Sequence, residues 1–475
     1  MKQSKGRRVA GGLVALLAVL LATVTGGGVT RSPAAKAARE AARRPRPNIV
    51  LILTDDQRAN TLWTMPQIRR KLVREGVKFE NGFVSNSLCC PSRATILTGQ
   101  YSHNTGVYTN YLPFGGFDVF DDDSTVATWL DDVGYRTALI GKYFNQYKDP
   151  RYVPPGWDKW NVFSDRPGNG GGFYNYKLSI NGREKRYGHR PRDYSTDVLA
   201  RRALRFVRES NRPFFLHFSP FAPHNDVPAD RHIGMFEHEK PKARPSYAEK
   251  DVSDKPAWVQ ELRRKKRYFP RLQTLETLVA VDEAVGKLVR LLRKQGELKN
   301  TFIVFMSDNG KGWGEHRWND KSDPYRGSAQ VPFVVRYDRW LQKNFVDDEH
   351  LVLNLDLAPT FANLARTDVP MGTDGRSLRP LLRSDSPNWR SDFLLEHLED
   401  KREVPSYCGV RSLEWLYVAY ATGEEELYDL FADPFELENL ADDPSYALDK
   451  ADLRARTEQL CDPVPPGYEF PAGPL

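Results

Sequence analysis

Two apolar runs that end in oxygen-bearing side chains constrain the fold of this chain more than any other feature. One run is Asn48–Thr54 and the other covers residues 301–306. A continuous apolar run is typical of a strand that is covered on both faces of a parallel sheet. The residues that follow the two runs include Asp55, Asp56, Asp308 and Asn309. Because the carboxyl ends of parallel strands meet at one edge of a sheet, we expect these side chains to lie together.

The rest of the first 385 residues alternates between helical and strand patterns. Apolar residues spaced by three and four over 275–292 indicate an amphipathic helix. We also predict helices at 65–75, 92–98, 125–132 and 195–210, the last capped by Asp193 or Ser195, and strands at 77–84, 136–140, 214–218 and 332–335. This alternation predicts a doubly wound α/β domain over residues 48–385, with a mostly parallel sheet flanked by helices.

Two stretches depart from the α/β pattern. Residues 174–187 contain Asn181 and Gly182 between alternating segments, which predicts an inserted β-hairpin. The pattern changes again over residues 386–475, where a strand at 415–421 precedes a polar, acidic stretch. We expect a smaller α+β domain there. Because Cys408 and Cys461 both lie in it, we also expect a disulfide between them if the protein is exported.

The amino terminus has the pattern of an export signal. Basic residues at positions 2–8 precede an apolar run at 9–24, and Ala35, Lys36 and Ala37 offer a cleavage site. We predict a signal peptide at 1–37, a linker at 38–47 and a secreted protein without stable membrane insertion after cleavage. The alternative is an uncleaved anchor, although the apolar run is short for a spanning helix.

The positive charge of the chain is concentrated in this leader. The formal net charge is +7, and residues 1–37 carry six Lys or Arg and no acid, so the remainder sums to +1. A nucleic-acid-binding function is therefore not expected.

The side chains at the two strand ends suit a metal ion. Three carboxylates and one amide are ligands for a hard divalent cation, Ca²⁺ or Mg²⁺, rather than for zinc. The alternative is that Asp55 only caps a turn and that Asp308 and Asn309 only form one.

The stretch from Cys89 to Gly99 carries the most specific pattern. Cys89, Pro91, Ser92 and Arg93, followed by Leu97-Thr98-Gly99, resemble the signature of type I sulfatases. That resemblance implies the alkaline-phosphatase-like sulfatase fold. It also implies oxidation of Cys89 to Cα-formylglycine by a formylglycine-generating enzyme. The alternative is a buried cysteine before a helix that starts with proline.

Further segments resemble one branch of this family, the N-acetylglucosamine-6-sulfatases. These are the Cys-Cys-Pro-Ser-Arg sequence itself, a Gly-Lys-Tyr-x-Asn-x-Tyr segment at 141–147 and a Tyr-Asn-Tyr-x-Leu-Ser-Ile-Asn-Gly segment at 174–182. The resemblance implies a sulfated carbohydrate substrate, with a glucosamine 6-sulfate ester in a heparan- or keratan-like glycan favoured.

The resemblance also implies a role for each matched residue. Hydrated formylglycine would attack sulfur, and its second hydroxyl would allow sulfate to be eliminated. His224 would protonate the leaving alcohol, and Asp308 would accept the proton of the nucleophile. The metal ligands would be Asp55, Asp56, Cys89, Asp308 and Asn309, and the residues that contact the sulfate or the substrate would be Arg93, Lys142, Asn145, His224 and Lys321. His316, which no motif matches, is a further candidate for substrate contact, with a surface histidine as the alternative.

One position departs from the family pattern. Many sulfatases have a second histidine two residues after the matched lysine, and this chain has Phe144 there. The base for sulfate elimination is therefore open, with His316 or water as candidates, and Asn145 is expected to orient the sulfate.

Two other functions would also fit these residues. A phosphomonoester or phosphonate hydrolase would share the sheet and the metal ligands, and a chain with unmodified Cys89 would be a non-catalytic polyanion-binding protein. The basic run 263–267 suits a sulfated polysaccharide, because guanidinium groups bind sulfate well. Such runs are more often solvated helix faces.

Overall fold

The computed structural model describes residues 45–164, 172–240, 242–265, 271–340, 343–383, 388–401 and 404–472. The predicted signal peptide and most of the linker at 38–47 lie outside these residues. The strands are β1 (Asn48–Thr54), β2 (Val77–Phe79), β3 (Gly82–Phe83), β4 (Arg136–Gly141), β5 (Lys159–Phe163), β6 (Lys177–Ile180), β7 (Arg183–Arg186), β8 (Phe214–Ser219), β9 (Thr301–Ser307), β10 (Phe333–Arg336), β11 (Phe345–Asp347), β12 (Val352–Leu353), β13 (Asp392–His397), β14 (Tyr407–Ser412), β15 (Trp415–Tyr420) and β16 (Glu425–Asp429).

Along the chain, most of the α-helices connect strands of the large sheet. They are α1 (Pro66–Ile68), α2 (Cys89–Thr98), α3 (Ser102–Thr105), α4 (Val126–Asp132), α5 (Ser195–Arg208), α6 (Ala257–Gln260), α7 (Leu272–Lys294), α8 (Arg326–Ala329), α9 (Leu357–Ala365), α10 (Arg379–Leu382) and α11 (Ala447–Leu460). Within the described ranges, none of them combines the length and the apolar character that crossing a membrane requires.

Ten strands form the main sheet, in the order β11-β2-β10-β9-β1-β8-β4-β5-β6-β7. The five central strands, from β9 to β5, are all parallel to one another, while β10 and β6 pair antiparallel with their neighbours. In the register of β1 and β9, Thr54 lies opposite Ser307, so Asp55 and Asp308 leave the sheet side by side. The predicted doubly wound, mostly parallel sheet is confirmed.

The central strands are buried on both faces, as their composition predicts. Ile49, Leu51 and Leu53 of β1 belong to the core on one face, and Val50 and Ile52 belong to the core on the other. This alternation follows from the opposite directions of successive side chains in a strand. Helices cover both faces, so the five residues lose all contact with solvent.

Three local predictions were wrong. The helix predicted at 65–75 is α1 followed by a π-helical turn at Arg69–Val73, and the strand predicted at 77–84 is divided into β2 and β3. Tyr194 precedes α5, and no side chain caps that helix, so neither predicted cap residue acts as one. In each case contacts with distant segments, which local patterns do not report, decide the local structure.

The inserted hairpin is confirmed as β6 and β7. Asn181 and Gly182 have φ angles of 48° and 81°, the left-handed pair that a two-residue type I′ turn requires. The hairpin extends the main sheet at one side, and β7 is its edge strand.

The last part of the chain forms a four-stranded antiparallel sheet, β13-β14-β15-β16, with α11 packed against it. The predicted disulfide joins Cys408 of β14 to Cys461, the residue after α11. Residues Arg46–Leu475 form one compact unit that includes these two sheets and a two-stranded sheet of β3 and β12. The domain boundary between residues 385 and 386 stays a prediction.

A buried carboxylate attaches the small sheet to the segment that follows β9. Glu426 of β16 accepts hydrogen bonds from the hydroxyls of Tyr325, at 2.7 Å, and Tyr420, at 2.6 Å, and it also accepts one from Tyr428. All four side chains are buried. Because a buried donor without an acceptor is costly, this carboxylate fixes three tyrosines from two parts of the fold.

We predict that Glu426→Ala destabilises the protein by about 3 kcal/mol, because three buried hydroxyls lose their shared acceptor. The measurement is urea denaturation followed by circular dichroism. Glu414→Gln, in the exposed turn between β14 and β15, is the control and should leave the free energy of unfolding unchanged. An equal effect of the two substitutions would contradict this role.

Candidate active site

Helix α2 presents Cys89 at its first position. Leu88 is extended, the helix begins at Cys89, and Gly99 ends it with a φ of 75°. Pro91 fits in the first turn because the backbone N–H groups there have no partner within the helix. All residues of α2 are buried, and Cys89 is 1% exposed. The partial positive charge of the helix amino terminus therefore falls on Cys89.

Three carboxylates at the carboxyl edge of the sheet each contact a cation. Lys142 Nζ lies 2.7 Å from Asp55 Oδ2, and Arg93 Nη2 lies 2.7 Å from Asp308 Oδ2. Lys321 Nζ forms an ion pair with Asp56 Oδ1. The six residues come from four strand ends or loops and from α2, and their side chains are almost completely buried. The sequence predicted all six as site residues, and the structure brings them together.

The pairing determines the charge state of each group. Burial opposes ionisation of Asp55 and Asp56, but Lys142 and Lys321 outweigh it, so the pKa of each carboxyl lies below its usual value. The pKa of Asp308 is raised instead, because burial and the negative charge of Asp55 outweigh Arg93. The pKa values of Lys142 and Lys321 are raised, since Asp55 and Asp56 outweigh the effect of burial on each lysine.

The two neighbouring cysteines have different surroundings. Cys89 Sγ lies 2.9 Å from Lys321 Nζ and 3.6 Å from Asp55 Oδ1. Cys90 belongs to the apolar core, where its sulfur accepts a hydrogen bond from Asn145 N at 3.2 Å. Only Cys89 of the pair therefore faces the charged groups.

The site has the donor atoms that a divalent cation needs. Ligand atoms of Asp55, Asp56 and Cys89 lie within 4.8 Å of one another. Asn309 Oδ1 and Asp56 Oδ2 are buried and accept no hydrogen bond within the described part of the chain. Acceptor oxygens that lack a donor, beside carboxylates, fit a hard cation such as Ca²⁺ or Mg²⁺. Asp308 brings a third carboxylate to this group. It lies next to Asp56, whose backbone N–H donates a hydrogen bond to Asp308 Oδ1 at 3.1 Å.

A cavity of about 420 Å³ opens above Cys89. Its lining includes Lys142, Lys321, Asn145 and His224, which the sequence predicted, and a further group of mostly polar and aromatic residues: Asn110, Tyr111, Tyr143, Phe144, Gln146, Tyr147, Lys148, Phe163, Phe221 and Asn225. His224 Nε2 lies 3.7 Å from Asp56 Oδ2, and its ring packs 4.8 Å from that of Phe221. Burial lowers the pKa of His224 to about 4, against the opposing charge of Asp56. An anionic ligand in the cavity would raise that pKa.

The structure does not bring His316 to this cavity. His316 Nδ1 lies 2.8 Å from Glu249 Oε2, and its Nε2 lies 4.0 Å from Glu436 Oε2. The side chain is 1% exposed and packs on Tyr325. Its acidic partners lie before α6 and after β16, and His316 is not among the residues that line the cavity. The basic run 263–267 lies partly outside the described residues, and Arg264 in it donates to Ala248 O at 2.5 Å.

Phe144, at the position of the second histidine, is buried and stacks on Phe120 at a centroid distance of 4.5 Å. It belongs to the core and supplies no base. Asn145, next to it, lines the cavity as predicted.

Two further polar residues contact the charged cluster and were not predicted from the sequence. Lys311 Nζ lies 3.5 Å from Asp56 Oδ2, and Ser219 Oγ accepts a hydrogen bond from Arg93 Nη1 at 2.8 Å. Ser219 ends β8 and Lys311 follows the Asp-Asn-Gly segment, so position at the carboxyl edge of the sheet was the available signal. Gly141 allows the close approach here, since a Cβ on it would lie 1.7 Å from Ser219 O.

Comparison with known proteins agrees with this geometry. Residues 47–367 match the family model described as Sulfatase, and residues 314–462 match that of the N-sulphoglucosamine sulphohydrolase C-terminal region. The human N-acetylglucosamine-6-sulfatase is 32% identical, with 90% of this chain and 89% of that protein covered. An extracellular sulfatase SULF-1 homologue of Drosophila melanogaster is 35% identical over 83% of this chain. The chain spans only 37% of the length of that relative, and 52% of a related protein of Caenorhabditis elegans.

Solved structures of other proteins have a similar fold. A protein in complex with its substrate D-glucosamine-2-N,6-O-disulfate superposes with a TM-score of 0.77 and 26% identity, covering 88% of this chain and 98% of the other. A phosphonate monoester hydrolase of Agrobacterium radiobacter, 22% identical with a TM-score of 0.71, shares the fold. The matched models, the relatives and the arrangement around Cys89 agree: the chain belongs to the sulfatase family of sulfuric ester hydrolases and has the alkaline-phosphatase-like α/β fold.

Proposed function

We propose that this protein is a secreted sulfatase that hydrolyses a sulfate ester of a carbohydrate, with N-acetylglucosamine 6-sulfate in a heparan- or keratan-like glycan as substrate. The observation that carries the proposal is the position of Cys89, at the start of a buried helix and at the base of a cavity lined by Lys142 and Lys321. The name of the human relative and the disulfated glucosamine in the solved complex support the choice of sugar.

The unmodified thiol of Cys89 is poorly suited to act as a nucleophile. Burial raises its pKa in spite of Lys142 and Lys321, so the thiol is protonated at neutral pH. Formylglycine, made from Cys89 by a formylglycine-generating enzyme, would supply a hydrated aldehyde as the nucleophile. The surroundings of Cys89 therefore support the requirement for the modification that its signature implies.

The acidic residues would hold the metal ion. Asp55, Asp56, Asp308, Asn309 and modified residue 89 offer oxygen ligands, which suit Ca²⁺, with Mg²⁺ as the alternative. A bound cation at this position would polarise the sulfate group and favour the ionised form of the nucleophile.

Three cations are placed to bind the sulfate group. Arg93, Lys142 and Lys321 are held in fixed positions by their carboxylate partners, and Lys142 and Lys321 line the cavity. The guanidinium of Arg93 is also fixed by the carbonyl of Lys142, at 2.9 Å, and by Ser219. Groups that are positioned before the reaction stabilise developing negative charge without reorganisation.

His224 is the proposed general acid. It lies at the wall of the cavity, retains 26% of its side-chain exposure and faces the acidic cluster. An anionic sulfate ester beside it would favour the imidazolium, which can then donate a proton to the departing sugar oxygen. Asp308 is the proposed acceptor of the proton of the nucleophile, and its raised pKa suits a proton acceptor.

Secretion is part of the proposal. The signal pattern at 1–37, the disulfide between Cys408 and Cys461 and the printed name of the Drosophila relative support it. Disulfides persist in oxidising compartments, which agrees with export.

We predict that Cys89→Ala abolishes sulfate release from N-acetylglucosamine 6-sulfate, a loss of at least about 10³-fold, because the nucleophile is absent. Cys90→Ala is the matched control and should retain most activity. In the wild-type peptide 79–93, mass spectrometry should show the loss of one sulfur and two hydrogens and the gain of one oxygen at Cys89. Two intact thiols in active protein would contradict the proposed nucleophile.

We predict that His224→Ala lowers kcat for the sugar sulfate by about 10²- to 10⁴-fold. The effect on 4-nitrophenyl sulfate should be much smaller, because 4-nitrophenolate leaves without protonation. Steady-state kinetics on both esters gives the comparison, and His238→Ala, whose side chain is 94% exposed, is the control. An equal loss on the two esters would show that His224 does not protonate the leaving group.

We predict that a chelator lowers both activity and thermal stability and that Ca²⁺ restores them. At a Ca²⁺ concentration about 100 times Kd, binding adds about 2.7 kcal/mol to the free energy of unfolding. Scanning calorimetry should show a Ca²⁺-dependent rise in Tm that Asp56→Asn loses and that the exposed-residue control Asp132→Asn retains. An equal rise in Asp56→Asn would place the ion elsewhere.

A further inference from the structure

The inserted hairpin and helix α5 form a strongly basic part of the chain. Residues 177–209 carry ten Lys or Arg and four Asp or Glu, a net charge of +6. The whole of residues 38–475 sums to +1, so the remainder is net acidic. The run 263–267 stands out in the sequence, whereas the segment 177–209 does not, because the cations of that segment are spread over two strands and a helix.

Some of these cations line a groove of about 560 Å³. Lys159 of β5, Arg183 of β7, and Arg202 and Arg205 of α5 line it. Glu209 is the one acid in its lining, and its carboxylate lies 3.8 Å from Arg136. The groove is therefore strongly positive.

Within the part of the chain that the structure describes, the cations of the groove have no acidic partner. Lys159, Arg183 and Arg205 form no ion pair with any residue in the described ranges, and Arg183 and Arg205 are exposed. Arg202 donates to Asn161 Oδ1 at 2.7 Å and to Tyr187 Oη at 2.8 Å, so neutral groups orient its guanidinium. Four positive charges against one carboxylate, which itself lies near Arg136, favour an anionic ligand in this groove.

One strand connects the groove to the cavity above Cys89. Lys159 and Asn161 line the groove, and Phe163 of the same strand lines the cavity. These alternate residues of β5 point to one face of the sheet. Lys159 and Phe163 are four steps apart along the strand, which corresponds to about 13 Å. A glycan of a few sugars covers that distance. Phe163 in turn packs 5.8 Å from Phe221, which contacts His224.

We propose that this groove is a second binding site for the sulfated glycan, where Lys159, Arg183, Arg202 and Arg205 hold anionic groups of a chain whose sulfated end occupies the cavity. The inference rests on the proposed function, because it is the carbohydrate substrate that makes a polymer present at both places. Guanidinium groups bind sulfate through paired hydrogen bonds, which suits the three arginines. Binding at a second site raises the effective concentration of the polymer at the first.

The test compares Lys159→Gln/Arg183→Gln/Arg205→Gln with the control Arg290→Gln/Arg293→Gln/Lys294→Gln. The control removes the same charge from exposed residues at the end of α7. Two readouts are used: the salt concentration that elutes each protein from immobilised heparin, and the kinetics of sulfate release from a long sulfated oligosaccharide and from N-acetylglucosamine 6-sulfate. The full-length, matured enzyme is used throughout.

We predict that the groove variant elutes at lower salt and that its KM for the long substrate rises about tenfold, since binding at two sites is lost. Its kinetics on the monosaccharide and both readouts of the control should match those of the wild type. Unchanged elution and KM in the groove variant, or equal changes in the control, would overturn the second site. A wild type that releases sulfate from neither substrate would refute the proposed function instead, and the elution comparison would still decide the groove.

Discussion

The mutual neutralisation of three buried carboxylates and three buried cations is the constraint on which the rest of this structure depends. An ion that is buried without a partner costs several kcal/mol, so no member of the cluster is tolerated alone. Asp55 and Asp308 are placed by neighbouring parallel strands, and Arg93 is placed by the helix that starts at Cys89. The sheet register, the helix position and the loops that bear the lysines must therefore all be correct together for the chain to fold.

The same pairing prepares the site for an anionic ester. Before any ligand binds, Lys142 and Lys321 are engaged by Asp55 and Asp56. If those carboxylates shared their charge with a divalent cation, as proposed, the lysines would become available for a sulfate group. The cluster thus holds its cations in place without a net buried charge, and an anion would bind there with little reorganisation of the side chains. The raised pKa of the Cys89 thiol fits the same environment, because burial disfavours a further negative charge there.

Local sequence patterns predicted the parts of the fold and site that depend on local chemistry. The apolar run of β1, the turn at Asn181 and the stretch that starts at Cys89 each contain the information that determines them. The resemblance added Lys142, Lys321 and His224, which no local pattern pairs with the acids. The sequence placed Ser219 at a strand end but could not pair it with Arg93, and it could not reveal the π-helical turn at Arg69–Val73 or the basic groove. Each of these depends on contacts between segments that are distant in the chain. The sequence also could not show that His316 contacts Glu249 and Glu436 and lies outside the lining of the cavity.

The small sheet takes part in building the active site, although it contributes no residue to the lining of the cavity. The segment that carries Lys321 is held against that sheet: Tyr407 donates to Ser322 O at 3.0 Å, and Glu436 accepts from Arg326 N at 3.1 Å. Trp318 Nε1 also donates to the carbonyl of Lys321 itself, at 3.1 Å. The bonds of Tyr407 and Trp318 are buried and that of Glu436 is partly buried, so they lose little strength to competition from water. Because the ammonium of Lys321 contacts both Asp56 and Cys89, the position of this proposed sulfate-binding lysine depends on strands that begin some seventy residues later in the chain. Stability of the small sheet and activity at Cys89 are consequently coupled through one short segment.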